Sequence, residues 1–326
     1  PRVEGGVILS GHTDVVPVDG QDWSTDPFAL VERDGRLYGR GACDMKGFDA
    51  LALALVPDML AAPLKRPIQI ALSYDEEVGC LGAGPLARAM RDALPPAASV
   101  FVGEPTGMRV VTQHKGMLGM TTRVRGVEVH SSLVHRGVSA IMTAARLVEW
   151  HRLRMAENRA AAPADSPFEP PWTTLHVGLI EGGTAHKITA RDCWFGSDVR
   201  VLPSEDLGGW RRRYLDAAAE IEREIREIRP EAAIEVEIRV AMAGCAKEPP
   251  ERAEAERLAR ALTGDNAERA VSFGTEAGHF QAAGYSTCVI GPGDIAQAHQ
   301  PDEFITLSDF ERGERFLRDL IERLCA

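Results

Sequence analysis

The sequence predicts an α/β protein: a mainly parallel sheet flanked by helices, with an inserted ferredoxin-like α+β domain. Three observations predict it. Short apolar, β-branched runs at 7–10, 68–74, 99–103 and 287–291 alternate with helical patterns, as strands buried on both faces do. The texture changes near Val110 and returns near Glu248. Between those points, Ile234 to Val240 alternates apolar and charged residues strictly, which fits a sheet with one wet face.

Each element follows from its own pattern. The first strand run leads through a Gly-rich loop to a helical pattern over 45–60. The second, at 68–74, precedes a helix over 83–93 closed by Pro95-Pro96, and a third strand follows at 99–103. Partial alternation marks a strand at 117–125, and an amphipathic pattern marks a helix at 140–155. Strands at 173–180 and 191–200 come next, then a long charged helix over 207–229 stopped by Pro230, then the strand at 234–240. That β-α-β-β-α-β order defines the ferredoxin-like unit. The four prolines within 163–171 mark a loop inside it. A helix over 250–262, a strand at 287–291 and a helix over 308–324 complete the chain, with Ser308 and Glu311 as a capping box. The expected division is a domain built from 1–110 and 244–326, interrupted by a second domain at 111–243.

Composition narrows the function classes. The 326 residues suffice for two domains. Net charge is −11, and no Lys/Arg-rich run is long enough to track phosphates, so nucleic acid is not an expected partner. No apolar stretch reaches the roughly 20 residues that span a bilayer, so no membrane association is expected. Cysteines at 43, 80, 193, 245, 288 and 325 show no C-x-x-C pair and no disulfide framework, which suits reduced thiols in a cytoplasmic protein. The chain opens at Pro1 with a strand close behind, so natural residues are expected to precede it.

Five acidic or imidazole clusters follow an apolar run or a Gly-rich loop: His12 with Asp14, Asp44, Glu76-Glu77, Glu104 and His299. Strand ends gather at one edge of an open α/β sheet, and ligands bind there. Singly, each is a common cap or turn residue. Jointly they read as one hydrolytic metal site, which needs N/O ligands and a base for the bound water. His12 supplies an imidazole. Asp14 lies about 6–7 Å along the same extended chain, too far to share the ion, so it accepts the other ring N–H and orients the imidazole. Asp44 bridges two cations. Adjacent residues diverge on leaving a strand, so Glu77 binds metal while Glu76 takes the proton from water. The expected pairing is His12 and Glu104 on one ion, Glu77 and His299 on the other. No G-x-S-x-G or H-E-x-x-H is present, and Gly291-Pro-Gly293 lacks the helix and βαβ unit of a dinucleotide site.

The runs Ser10 to Pro17, Leu37 to Gly47, Asp75 to Gly79, Gly103 to Thr106 and Ala298 to Glu303 resemble the zinc aminoacylase/carboxypeptidase G family. The resemblance covers essentially the whole chain. It implies a zinc-peptidase-like catalytic domain, two Zn2+ with Co2+ as a possible substitute, a cis peptide after Asp44, and an insert acting as lid and homodimer interface. Trp23 to Phe28, Gly274 to Gly278 and Gly291 to His299 are most similar to the acetylornithine deacetylase branch. That branch implies a small-molecule N-acyl amino acid as substrate and a place in arginine biosynthesis. Sister branches imply desuccinylation of succinyl-diaminopimelate or dipeptide cleavage, and a non-enzyme alternative is an inactive binding relative. The segment Gly126 to Ser132 resembles the family stretch whose His, here His130, stabilises an oxyanion. The Gly182 to Ile188 loop resembles one that approaches a substrate carboxylate, with Lys187 where relatives carry Asn. Thr275 and Glu276 fall in the other substrate-side loop, with Glu276 a candidate for a cationic side chain. Arg200 is a further substrate-side candidate.

Overall fold

The computed structural model describes residues 3–326. They form two compact units, one from residues up to His114 and from Gly244 onward, the other from Lys115 to Ala243. The first unit opens with β1 (Gly6–His12), β2 (Val31–Arg33) and β3 (Arg36–Tyr38). Then come α1 (Lys46–Ala54), α2 (Val56–Ala61), β4 (Ile68–Ser73), α3 (Ala83–Ala93), β5 (Ala97–Val102) and β6 (Gln113–His114). The second unit comprises β7 (Gly116–Arg125), α4 (Ala140–Ala160), β8 (Thr174–Gly182), β9 (Asp192–Val201), α5 (Leu207–Ile228) and β10 (Ala233–Met242). The chain then returns to the first unit through α6 (Glu254–Thr263), β11 (Ala270–Val271), α7 (Ala277–Ala282), β12 (Thr287–Val289), β13 (Phe304–Thr306) and α8 (Leu307–Cys325).

The main sheet of the first unit has the order β12-β5-β1-β4, with every pairing parallel. All seven residues of β1 are buried, because helices cover both faces. Side chains alternate between two cores with the period of a strand. Val7 and Leu9 join Phe48, Leu51, Phe101, Phe316 and Leu320 on one face. Ile8 joins Ala87, Val100, Val102 and Phe280 on the other. The chain passes from β1 to β4 on one side and then crosses to β5 on the other side. That switch opens a crevice beyond the carboxyl ends of β1 and β5.

The second unit is a four-stranded antiparallel sheet in the order β10-β7-β9-β8. With β7-α4-β8-β9-α5-β10 along the chain, this is the ferredoxin-like arrangement the strand and helix patterns predict. Its own core joins Leu118, Phe195 and Val199 to Leu147 of α4 and Trp210, Tyr214 and Ile221 of α5.

Several boundaries differ from the expected ones. The single helix over 45–60 breaks at Leu55 into α1 and α2, with Pro57 in the first turn of α2, where its missing N–H costs nothing. The helix expected from 250 begins at Glu254, with Ala253 as its non-helical cap residue. The capping residue of α8 is Thr306, not Ser308. Thr306 Oγ1 accepts the Asp309 N–H at 3.0 Å and donates to Asp309 Oδ2 at 2.8 Å, since β13 runs straight into the helix. Sequence periodicity missed β2, β3 and β13, a small sheet of three-residue strands. No described helix is long and apolar enough to cross a membrane.

Candidate metal centre

Strand register brings the site together. His12 ends β1 opposite Ser73, the last residue of β4. Glu76 and Glu77 follow three and four residues later in a short 3₁₀ turn, and Glu104 lies two residues beyond β5. A side chain at Gly103 would drive its Cβ to 2.1 Å from the Phe48 ring, so glycine is what lets the core close just below Glu104. The Asp44–Met45 peptide is cis, and His299 has a left-handed φ of 63°.

His12 Nε2 lies 3.2 Å from Asp44 Oδ1, and His299 Nε2 lies 3.2 Å from both Asp44 Oδ2 and Glu77 Oε2. Two groups of donors result: His12, Asp44 and Glu104, and Asp44, Glu77 and His299, with ligand atoms inside 4.8 Å of one another in each. Asp44 offers one oxygen to each imidazole. His12, Asp44 and Glu104 are buried, and His299 is about half exposed.

The electrostatics match a cation site. Burial pushes the Glu104 carboxyl well above its usual range, reinforced by Asp44 and Glu76. Burial also pushes Glu76 up to about 7. It would lower His12, but the Asp44 hydrogen bond and the Glu104 and Glu76 charges override it and raise the imidazole to about 11. Asp44 and Glu77 raise His299 to about 10 by hydrogen bonding. Burial alone would raise Asp44, yet the two imidazoles hold it below its usual range. Glu77 Oε1 and Glu104 Oε1 are buried without a hydrogen-bond partner. Crowded carboxylates with orphaned oxygens and hard N/O donors fit divalent cations.

Asp14 does more than the expected orientation of His12. His12 Nδ1 lies 3.1 Å from the Asp14 carbonyl oxygen and 3.4 Å from Oδ1. The two carboxylate oxygens accept the backbone N–H groups of Glu76 and Glu77 at 3.1 and 3.0 Å. Sequence reasoning missed two further contacts. The buried Cys80 thiol donates to Glu76 Oε1 at 3.3 Å. Glu303 Oε1 accepts the N–H groups of Cys43 and Asp44 at 2.9 and 3.0 Å. Their only sequence-level signal is position inside the quoted motifs or just after them.

The substrate-side candidates divide by unit. Thr275 and Glu276, the candidates of the other substrate-side loop, are 0 % and 1 % exposed at the start of α7. Thr275 Oγ1 accepts the Ala277 N–H at 3.1 Å, and Ser10 Oγ donates to Glu276 Oε2 at 3.1 Å. Glu276 Oε1 is buried without a hydrogen-bond partner. In the second unit, Arg200 Nε on β9 donates to Asp198 Oδ2 at 2.9 Å. His130 is exposed, with Nδ1 2.8 Å from Ser132 Oγ. Its backbone bridges Ile188, and Ser131 N–H donates to the Lys187 carbonyl at 2.8 Å. The fold thus sets His130 beside the Lys187 loop.

Peptidase family M20/M25/M40 matches residues 8–323. The chain belongs to that family. Among M20 relatives, an acetylornithine deacetylase of Myxococcus xanthus is 38% identical over 320 residues, 98% of this chain and 80% of that protein. An acetylornithine deacetylase of Shigella sonnei (strain Ss046) is 35% identical over 321 residues, 98% of this chain and 81% of that protein. In fold, the chain is similar to aminopeptidase PepT of Bacillus cereus, with a TM-score of 0.71 at 20% identity, covering 99% of this chain and 82% of that one. It is also similar to YXEP of Bacillus subtilis, described as a dinuclear metal binding peptidase from the M20 family. There the TM-score is 0.58 at 13% identity, over 98% and 82% of the two chains.

Proposed function

We propose that this M20 protein hydrolyses the amide of an N-acyl amino acid, and that N-acetylornithine is its substrate, giving ornithine and acetate. The observation that carries the reading is Asp44, which serves two donor groups at once. The deacetylases at 35–38% identity support the substrate. His12, Asp44 and Glu104 would hold one ion and Asp44, Glu77 and His299 the other, with Zn2+ the proposed metal and Co2+ a substitute. When bound, such a pair supplies Lewis acidity to the acyl carbonyl and to water.

The chain's own groups do the rest. Glu76 takes a proton as water oxygen attacks the acyl carbon. It returns the proton to the amine nitrogen as the C–N bond breaks, leaving acetate and the free amine. Its place one residue before the ligand Glu77, on the turn held by Asp14, suits both directions of that transfer. Asp14 fixes His12 and the Glu76-Glu77 turn. His130 is the proposed oxyanion donor, and Lys187 the proposed partner of the substrate carboxylate. The second unit is the proposed lid and, through its edge strand β8, the seat of a homodimer.

Glu76→Gln is expected to abolish turnover of N-acetylornithine while metal content is retained. Chelation should remove activity, and Zn2+ or Co2+ should restore it. Full activity in the Glu76→Gln variant rejects the base, and activity indifferent to chelator rejects the metal reading. Exclusive turnover of dipeptides or succinyl-diaminopimelate moves the substrate to a sister branch.

A further inference from the structure

Asp44 and His299 stand 3.2 Å apart, although 255 residues separate them in sequence and neither lies on a main-sheet strand. A polar network outside the donor groups spans them. Glu303, buried at 1 % exposure, grips the Asp44 and Cys43 N–H groups with Oε1 and Arg40 Nη1 with Oε2 at 2.5 Å. Arg40 Nη1 also reaches the carbonyl of Gln300 at 3.3 Å, and Nη2 donates to Gln21 Oε1 at 2.5 Å. The Trp23 indole N–H donates to that same oxygen at 3.1 Å, and the guanidinium lies 5.1 Å from the Trp23 ring centroid. Gln21 then closes the circuit, with Nε2 donating to the His299 carbonyl at 2.9 Å. Asp302 Oδ1 binds the Ser24 N–H at 2.8 Å, which ties the same two loops a second time.

We infer that Glu303, Arg40 and Gln21 are positioning residues that set the Asp44–His299 spacing, and so the affinity of the second ion site. The inference rests on the metal reading above. His299 has one immediate reason to need such support: it is about half exposed in a left-handed loop, without a strand beneath it. His12 has β1 beneath it. The two donor groups therefore differ in what holds them. His12 and Glu104 are fixed by the strands they follow, whereas Asp44 and His299 depend on hydrogen bonds between loops. A planar guanidinium suits Arg40, since its fork engages a carboxylate, a carbonyl and an amide oxygen together.

Glu303 and Arg40 form a buried ion pair, and removing either partner risks misfolding. The test is placed on Gln21 at the rim. Gln21→Glu keeps an acceptor for Arg40 and Trp23 but faces the His299 carbonyl with oxygen instead of N–H. Gln21→Ala removes all three contacts. Metal-free full-length protein is titrated with Co2+ and followed by calorimetry and visible absorption, with thermal midpoints as a check on folding. The expected result is two ions in the parent protein. In both variants the second ion binds at least about tenfold more weakly, and the first binds within about threefold of the parent. Two ions bound as in the parent, or both weakened equally, overturn the positioning role while leaving the metal centre intact. A parent protein that takes up no Co2+ overturns the metal centre itself, and this inference with it.

Discussion

Asp49 lies on α1 with both carboxylate oxygens buried and without a hydrogen-bond partner. A Cβ at Gly11 would sit 1.9 Å from Asp49 Oδ1, so the carboxyl packs against the strand that carries His12. Burial pushes it up to about 7, against the opposing charges of His12 and Lys46. Its pKa is therefore higher folded than unfolded, and the folded state binds the proton more tightly. The stability it permits is greatest near pH 4 and is lost as pH rises towards 7. Asp49→Asn mimics the protonated acid and removes that loss. In metal-free protein, urea denaturation should show the variant drawing ahead of the parent from pH 4 to pH 7, by up to about 4 kcal/mol for three pKa units, and level above that. A gap that shrinks with rising pH contradicts the assignment. At this scale the centre was legible where a charged residue ended an apolar run, as at His12 and Glu104. It was not legible where a role depends on partners far along the chain. Glu303 and Arg40 touch across 263 residues, and although each lies inside a quoted motif, nothing in the sequence pairs them. The burial of Glu276 was not legible for the same reason, since its partner Ser10 lies 266 residues away.

At the scale of elements, the cap of α8 offers a clean measurement. Thr306→Ala removes the acceptor for the Asp309 N–H and should cost about 1 kcal/mol, the usual worth of such a cap. Ser308→Ala, at the position the sequence favours, should be close to neutral, and denaturation midpoints of the two variants decide between them. Long periodic segments were read well: α3 and α5 begin at the expected residues, because their apolar stripes face a core. The helix over 45–60 was read as one because its stripe continues across Leu55, and the break is a backbone effect of Pro57. Strands β2, β3 and β13 are too short to show a period of two.

At the scale of the molecule, the two sheet types were visible in the chain: buried parallel runs for one unit and β-α-β-β-α-β for the other, whereas the order β12-β5-β1-β4 was not. The sequence carries no comparable signal for assembly. β8 is the outer strand of its sheet, and Leu179 and Ile180 on it are 64 % and 55 % exposed. An open edge with apolar side chains invites a second strand, which supports the proposed homodimer. Lysine at both positions should shift the mass by light scattering from two chains to one at micromolar concentration, with circular dichroism unchanged. A parent protein already monomeric under those conditions rules the dimer out.

Asp14 has a consequence for anyone who would move this site to another scaffold. Its carboxylate is a double hook, one oxygen for each of two consecutive amides. Asparagine has a single acceptor there and a donor in place of the other, so it can hold only one amide and must push against the second. The exchange would look conservative on paper and would be expected to tune only the neighbouring imidazole. In this architecture it unfastens the segment that carries both Glu76 and Glu77. A transplant must therefore carry the hook and the turn it fastens as one piece.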